Sequence, residues 1–210
     1  MKLAAFFAMS LIALGGTCFG AEADPSVLAV GAWSEPVKAA NYMKLRGRLK
    51  ICEYPDNRGL APGMDVALYV ELQEFSDSVG GIEKVYFDPQ ALKCELTDSA
   101  GKAVPRSGGE FSGAVPGPVW IDLPSFCSML VRVTPYHGGG RMPDGGFGLW
   151  GNIGDTWTLK ADDAATYYLS GKLTVNPPAD HKSDNPQWVW SGSLTLPKMA
   201  VSMKQLRPKK

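Results

Sequence analysis

From residue 44 to 51 polar and apolar positions alternate without a break. Lys44, Arg46, Arg48 and Lys50 take the even places, and Leu45, Gly47, Leu49 and Ile51 the odd ones. Because successive side chains of a strand point to opposite faces, this predicts a strand with one wet, basic face and one buried face. A second run sets Val66, Leu68, Val70 and Leu72 against Ala67, Tyr69, Glu71 and Gln73. Pro55 to Gly59 and Pro62-Gly63 between the runs are turn chemistry, so the two are expected to form an antiparallel pair. A third strand is predicted over 92–98, with Leu92, Cys94 and Leu96 inward, closed by the turn Asp98-Ser99-Ala100-Gly101. Further strands are expected over 120–123 and 129–134. Later, Tyr167, Leu169, Gly171, Leu173 and Val175 share one face, and Trp188, Trp190, Gly192, Leu194 and Leu196 share another. Pro197 is expected to break that last run, with a short strand after it through Met199, Val201 and Met203. No amphipathic helix follows residue 23. Short strands punctuated by Gly and Pro predict an all-β, antiparallel β-sandwich in a single domain.

The start of the chain follows a different pattern. Lys2 precedes an apolar run from Leu3 to Leu14, interrupted only by Ser10 and ended by Gly15-Gly16. A spanning helix needs about 20 apolar residues, so the run predicts a signal peptide, residues 1–23, cleaved after Ala23 or alternatively after Gly20. Residues 24–43 are then an N-terminal extension, 44–204 the sandwich domain and 205–210 a basic tail. The expected location is secreted or periplasmic, with no transmembrane segment in the mature chain.

Composition supports this picture. The chain is 45% hydrophobic and 20% charged, with 24 Gly and 16 Pro, which excludes disorder and a long-helix protein. Lys and Arg total 21 against 21 Asp and Glu, so no overall field favours nucleic acid, and no nucleic-acid partner is expected. Lys198, Lys204, Arg207, Lys209 and Lys210 concentrate positive charge at the end. Such a tail is ordinarily solvated, the alternative being contact with an anionic partner.

The segment Asp163-Ala164-Ala165-Thr166-Tyr167-Tyr168 resembles the D-x-A-x-Y stretch that leads into the last core strands of immunoglobulin domains. The resemblance implies an Ig-like sandwich with a tyrosine corner, in which the Tyr167 hydroxyl bonds upstream backbone. That family places Cys where this chain has Leu169, so its inter-sheet disulfide is absent. The layout is also similar to bacterial secreted β-sandwich proteins, and to small Ig-like modules used as adhesins or peptidase inhibitors.

Cys52, Cys94 and Cys127 remain after signal removal. Strand parity puts Cys94 and Cys127 in phase with inward positions and Cys52 with the basic face. Cys94 with Cys127 is therefore the disulfide compatible with one core, the alternative being three unbonded thiols.

Catalytic chemistry is thin. His137 and His181 lack metal-ligand spacing. Ser112 misses the G-x-S-x-G elbow by one residue, and Asp162-Asp163 point apart on an extended chain. The chain is expected not to be an enzyme and to need no cofactor. Two candidate binding regions remain. One is the Gly-rich stretch 137–155, where Trp150, Phe147, Arg141 and the preceding Tyr136 form either a stacking platform or an apolar plug over the end of the core. The other is the Lys44, Arg46, Arg48, Lys50 face, which either tracks an anionic polymer or is neutralised by Glu71 or Glu95 on neighbouring strands. The function expected is a non-enzymatic module that binds protein or polysaccharide at the cell envelope. The alternatives are a peptidase inhibitor inserting the Gly-rich loop or Pro116-Gly117-Pro118, and an envelope structural protein.

Overall fold

A computed structural model describes residues 27–39, 43–53, 66–75, 82–107, 117–133, 139–141, 146–151, 155–160, 162, 164–179 and 189–206. These residues are all-β. In chain order the strands are β1 (Val27–Val30), β2 (Val37–Lys38), β3 (Lys44–Glu53), β4 (Val66–Glu74), β5 (Ile82–Phe87), β6 (Leu92–Thr97) and β7 (Val119–Pro124). Then come β8 (Ser128–Arg132), β9 (Gly139–Arg141), β10 (Phe147–Trp150), β11 (Thr156–Leu159), β12 (Thr166–Val175), β13 (Val189–Trp190) and β14 (Gly192–Ser202). They form four open sheets, ordered β1-β3-β4-β8 with β2 also on β3, β14-β12-β6, β13-β5-β7 and β11-β10-β9. Pairing is antiparallel except for β13, which runs parallel to β5. Among the described residues no helix is long and apolar enough to cross a membrane.

The alternation read in the sequence places the core. Leu45, Leu49 and Ile51 of β3 and Leu68, Val70 and Leu72 of β4 are buried on one side of the first sheet. On the facing sheet, Leu194, Leu196, Met199 and Val201 of β14 and Leu169, Leu173 and Val175 of β12 are buried. The two sheets meet at Gly47, where an added Cβ would lie 2.9 Å from Leu196 Cδ2. Gly171, paired with Leu196 in register, leaves room for the same side chain from within its own sheet. A bulky residue thus fills space that two missing side chains leave, which is how dense packing is reached between twisted sheets.

The predicted pair is present as β3 and β4, in register from Leu45 opposite Glu74 to Glu53 opposite Val66. Pro197 does not end its strand. β14 continues through it because the register slips there, Met199 facing Leu169 while Leu196 faces Gly171. The extra residue makes a bulge, where a residue without an N–H is tolerated. The described part of the expected N-terminal extension supplies β1 and β2, both paired with β3. Tyr167 is buried and its hydroxyl accepts a long hydrogen bond, 3.4 Å, from the Lys160 N–H, the upstream contact expected of that residue.

The cysteines depart from expectation. Cys52, Cys94 and Cys127 are all free, and Cys52 is buried while Cys127 is exposed. Parity held for Cys52, which continues the outward positions of β3, yet the residue is buried, with Val27 of β1 opposite it on one side and Ala67 of β4 on the other. Parity failed for Cys127 because that residue precedes β8, in a turn where its N–H donates to Pro124 O. Burial pushes the Cys94 thiol up to about 12, with the Asp155 carboxylate adding to the rise and Arg106 opposing it.

Candidate functional site

The outer face of the first sheet follows directly from register. Arg46 lies opposite Gln73 and then Ser128, Arg48 opposite Glu71 and Leu130, and Lys50 opposite Tyr69 and Arg132. Lys44 lies opposite Lys38 of β2. On these paired positions Glu71 is the sole carboxylate, against Lys38, Lys44, Arg46, Arg48, Lys50 and Arg132.

Glu71 is enclosed. Its Oε2 accepts from Arg48 Nε at 2.6 Å and meets Lys50 Nζ at 2.7 Å, while its Oε1 accepts from Ser128 Oγ at 3.1 Å. Burial alone would raise its carboxyl, yet the hydrogen bonds and charges of Arg48 and Lys50 outweigh burial and hold it below the ordinary carboxylate range. Of the two acids expected to neutralise the basic face, Glu71 lies on it and pairs with Arg48 and Lys50. Glu95 does not, because it sits on β6, opposite Ser170 in another sheet.

Arg46 is held differently. Its Nε and Nη2 both donate to Gln73 Oε1, at 2.8 and 2.6 Å. Its guanidinium carbon stands 4.8 Å from the Trp33 ring centroid and 4.3 Å from that of Phe75. Arg48 lies 4.2 Å from the same Trp33 ring. Such contacts fix a planar cation against aromatic faces and lower its freedom to rotate.

The local chain explains where the rings come from. After β1 the backbone stays on β3 through Gly31 N–H to Leu49 O at 2.9 Å and Ser34 N–H to Gly47 O at 2.8 Å. Three steps on one side match two on the other, so the stretch bulges between these bonds, a device that re-aims a side chain. Ser34 is buried and its Oγ accepts the Gly47 N–H at 3.0 Å, closing the stitch. Trp33, inside that bulge, meets the arginines. Phe75 continues the outward series Tyr69, Glu71, Gln73 one step past β4, anchored by its N–H on Lys44 O at 2.8 Å.

Sequence reading found the four cations of β3 and missed Trp33, Gln73 and Phe75 as their partners. Phe75 was in phase with the outward residues of β4 and could have been found. Trp33 follows a bulge, which no alternation announces.

The Gly-rich stretch divides. Phe147 is 2% exposed and belongs to the core with Leu149 and Trp157, so of the two readings its burial agrees with the apolar plug and not with a platform open to a ligand. Burial won because β10 pairs on both sides, with β9 and β11, and its alternate side chains turn inward. Tyr136 lies outside the described residues, as do the side chains of Arg141 and Trp150. Nearby, Asp155 is buried and joins three segments. Its Oδ1 meets Arg106 Nε at 2.8 Å, its Oδ2 accepts the Cys94 N–H at 3.4 Å and its carbonyl accepts the Gly151 N–H at 2.7 Å. Both carboxylate oxygens of Asp155 are thereby engaged within the protein. Among the described residues no group of three or more His, Cys, Asp or Glu could hold a metal ion.

The outer face of β3 and β4 thus gathers charge, planar donors and aromatic rings together. Compared with protein-family models, curated proteins and solved structures, the chain matches none.

Proposed function

We propose that the chain is an Ig-like β-sandwich of the secreted or periplasmic space that binds protein or polysaccharide at the cell envelope without catalysis, through the outer face of β3 and β4. The observation that carries this reading is the arrangement of Arg46 against Trp33 and Phe75 within a row of cations. A surface meant only to stay soluble needs scattered charges of both signs. On the register-paired positions of the described residues this one carries Lys38, Lys44, Arg46, Arg48, Lys50 and Arg132 with Glu71 between Arg48 and Lys50, and Phe75, 42% exposed, stands beside Arg46. Aromatic residues and arginine are the side chains that dominate binding energy at interfaces, because each contributes large contact area with little freedom to lose. The facing sheets that meet at Gly47 and Leu196 support the sandwich, and the Tyr167 contact supports its Ig-like character.

The test is co-sedimentation of the purified chain with washed cell-envelope material, wild type beside Arg46→Ala and Lys44→Ala. Binding that drops at least fivefold in Arg46→Ala, with an unchanged melting temperature, is the expected result. Equal binding of all three proteins, or no binding by any, overturns the assignment to this face.

A further inference from the structure

The ligand class of this face can be narrowed. This step rests on the reading of the face as a binding surface and concerns what it holds. A guanidinium offers five N–H donors in one plane. Arg46 directs Nε and one Nη2 hydrogen at a neutral acceptor, Gln73 Oε1, and among the described residues no carboxylate meets it. Its positive charge is therefore uncompensated there, and its remaining donors include the whole Nη1 group. Arg48 differs, since Glu71 takes its Nε and also takes Lys50. The row thus has an open fork at Arg46 and, one outward position along β3, a cluster of two cations and one anion that still carries one net positive charge. The two lie about 7 Å apart, two residues of extended chain.

We infer that this face binds a carboxylated polysaccharide, with one sugar carboxylate bidentate on the Arg46 fork and the adjoining sugar ring against Phe75. An arginine fork matches the two oxygens of a carboxylate. Trp33 and Phe75 hold that fork in place before any ligand arrives, so little rotamer freedom remains to be lost on binding. Phe75, 42% exposed, adds an apolar ring in contact with the fork. A sugar acid presents both features from one unit, an oxyanion and a ring with an apolar C–H face. An acidic peptide brings carboxylates without a ring, and duplex nucleic acid keeps its flat faces stacked inside. Of these anionic polymers, the carboxylated sugar chain uses the cation and the aromatic together.

The experiment measures binding of the purified full chain to immobilised polygalacturonate, with dextran, poly-L-glutamate and duplex DNA beside it at one ionic strength. Expected are binding to polygalacturonate that weakens as salt rises, none to dextran, and at least tenfold weaker binding to poly-L-glutamate and DNA. Arg46→Lys keeps the charge but removes the fork, and is expected to lower affinity for polygalacturonate at least fivefold. Phe75→Leu, which keeps every charge of the row but removes the ring beside Arg46, is expected to lower it at least threefold. Poly-L-glutamate or DNA binding as tightly as polygalacturonate would overturn the sugar assignment, as would full binding by both variants. A wild-type chain that ignores polygalacturonate, while its envelope binding still depends on Arg46, refutes the carboxylated-sugar ligand and leaves the binding face standing. Envelope binding indifferent to Arg46 removes both.

Discussion

At the scale of single residues, side-chain facing was decided by neighbours as much as by parity. Cys52 occupies an outward place on β3, between Val27 and Ala67 in register, and is nevertheless buried. Burial, with Glu71 adding to it and Lys50 opposing it, raises its thiol above the ordinary value. Cys94 is buried as well and shifted further in the same direction. The reactive species is the thiolate, so both residues are doubly protected, by lack of access and by a raised pKa. Cys127 is exposed beside Phe126, whose φ of 62° places it in the left-handed region. In the native protein at pH 8 a maleimide should therefore modify Cys127 alone, with Cys52 and Cys94 reacting only in denaturant. Peptide mapping of the labelled protein checks this. Native labelling of Cys52 at a rate near that of Cys127 would contradict its burial.

At the scale of elements, the unit that counts is the pair β3 and β4 with its outer row of contacts. Glu71, Arg48 and Lys50 are only 11%, 24% and 15% exposed at their side chains, so their attraction is screened less than that of a surface pair. Replacing Glu71 by Gln leaves two cations close together without their counter-ion and should destabilise the fold by roughly 1–3 kcal/mol at neutral pH. The same group fixes a pH dependence. Its folded pKa is depressed, so its contribution is fully present above the ordinary carboxylate value of about 4.3 and is lost as pH falls through the folded value. Acid should therefore lower the melting temperature of the wild type more than that of Glu71→Gln, and the two curves should converge below that window. Thermal melts from pH 7 down to pH 3 measure it, and parallel curves would contradict the depressed pKa. Elements also show what was readable beforehand. β3, β4, β6 and β12 carry six or more residues of clean alternation, and their bounds follow from it. β5 reads as a mixed stretch, because Tyr86 and Lys84 share its outer side with only partial exposure. β9 is two glycines and an arginine, with almost no side chain to reveal a face, and β10 is only four residues long. The bulges after β1 and at Pro197 shift parity by one, and alternation cannot foresee a shift.

At the scale of the whole molecule, the question is where the folded unit begins. Alternation starts at Lys44, and a domain beginning there was the natural expectation. Yet the preceding stretch is woven into the core. Ala29, Ala39 and Met43 are buried, and the Val37 carbonyl accepts the indole N–H of the fully buried Trp190 at 3.2 Å. Gly31 approaches so closely that an added Cβ would stand 3.3 Å from Met199 Cβ on the facing sheet. Removing residues 1–43 would strip β1 and β2 from β3, leave the β3 backbone as an open edge, and uncover Cys52 and Trp190. A bare edge of that kind invites pairing between chains. Cleavage after Ala23 would instead spare every one of these contacts, since β1 starts at Val27. Two truncated chains decide between these boundaries. A chain beginning at Asp24 should be monodisperse and melt cooperatively, whereas one beginning at Lys44 should aggregate or melt without a cooperative transition. It should also lose binding through the outer face, because Trp33 leaves with the deleted segment. A chain from Lys44 that melts as cooperatively as the longer one would return β1 and β2 to the status of an appendage, and would remove Trp33 from any part in holding Arg46.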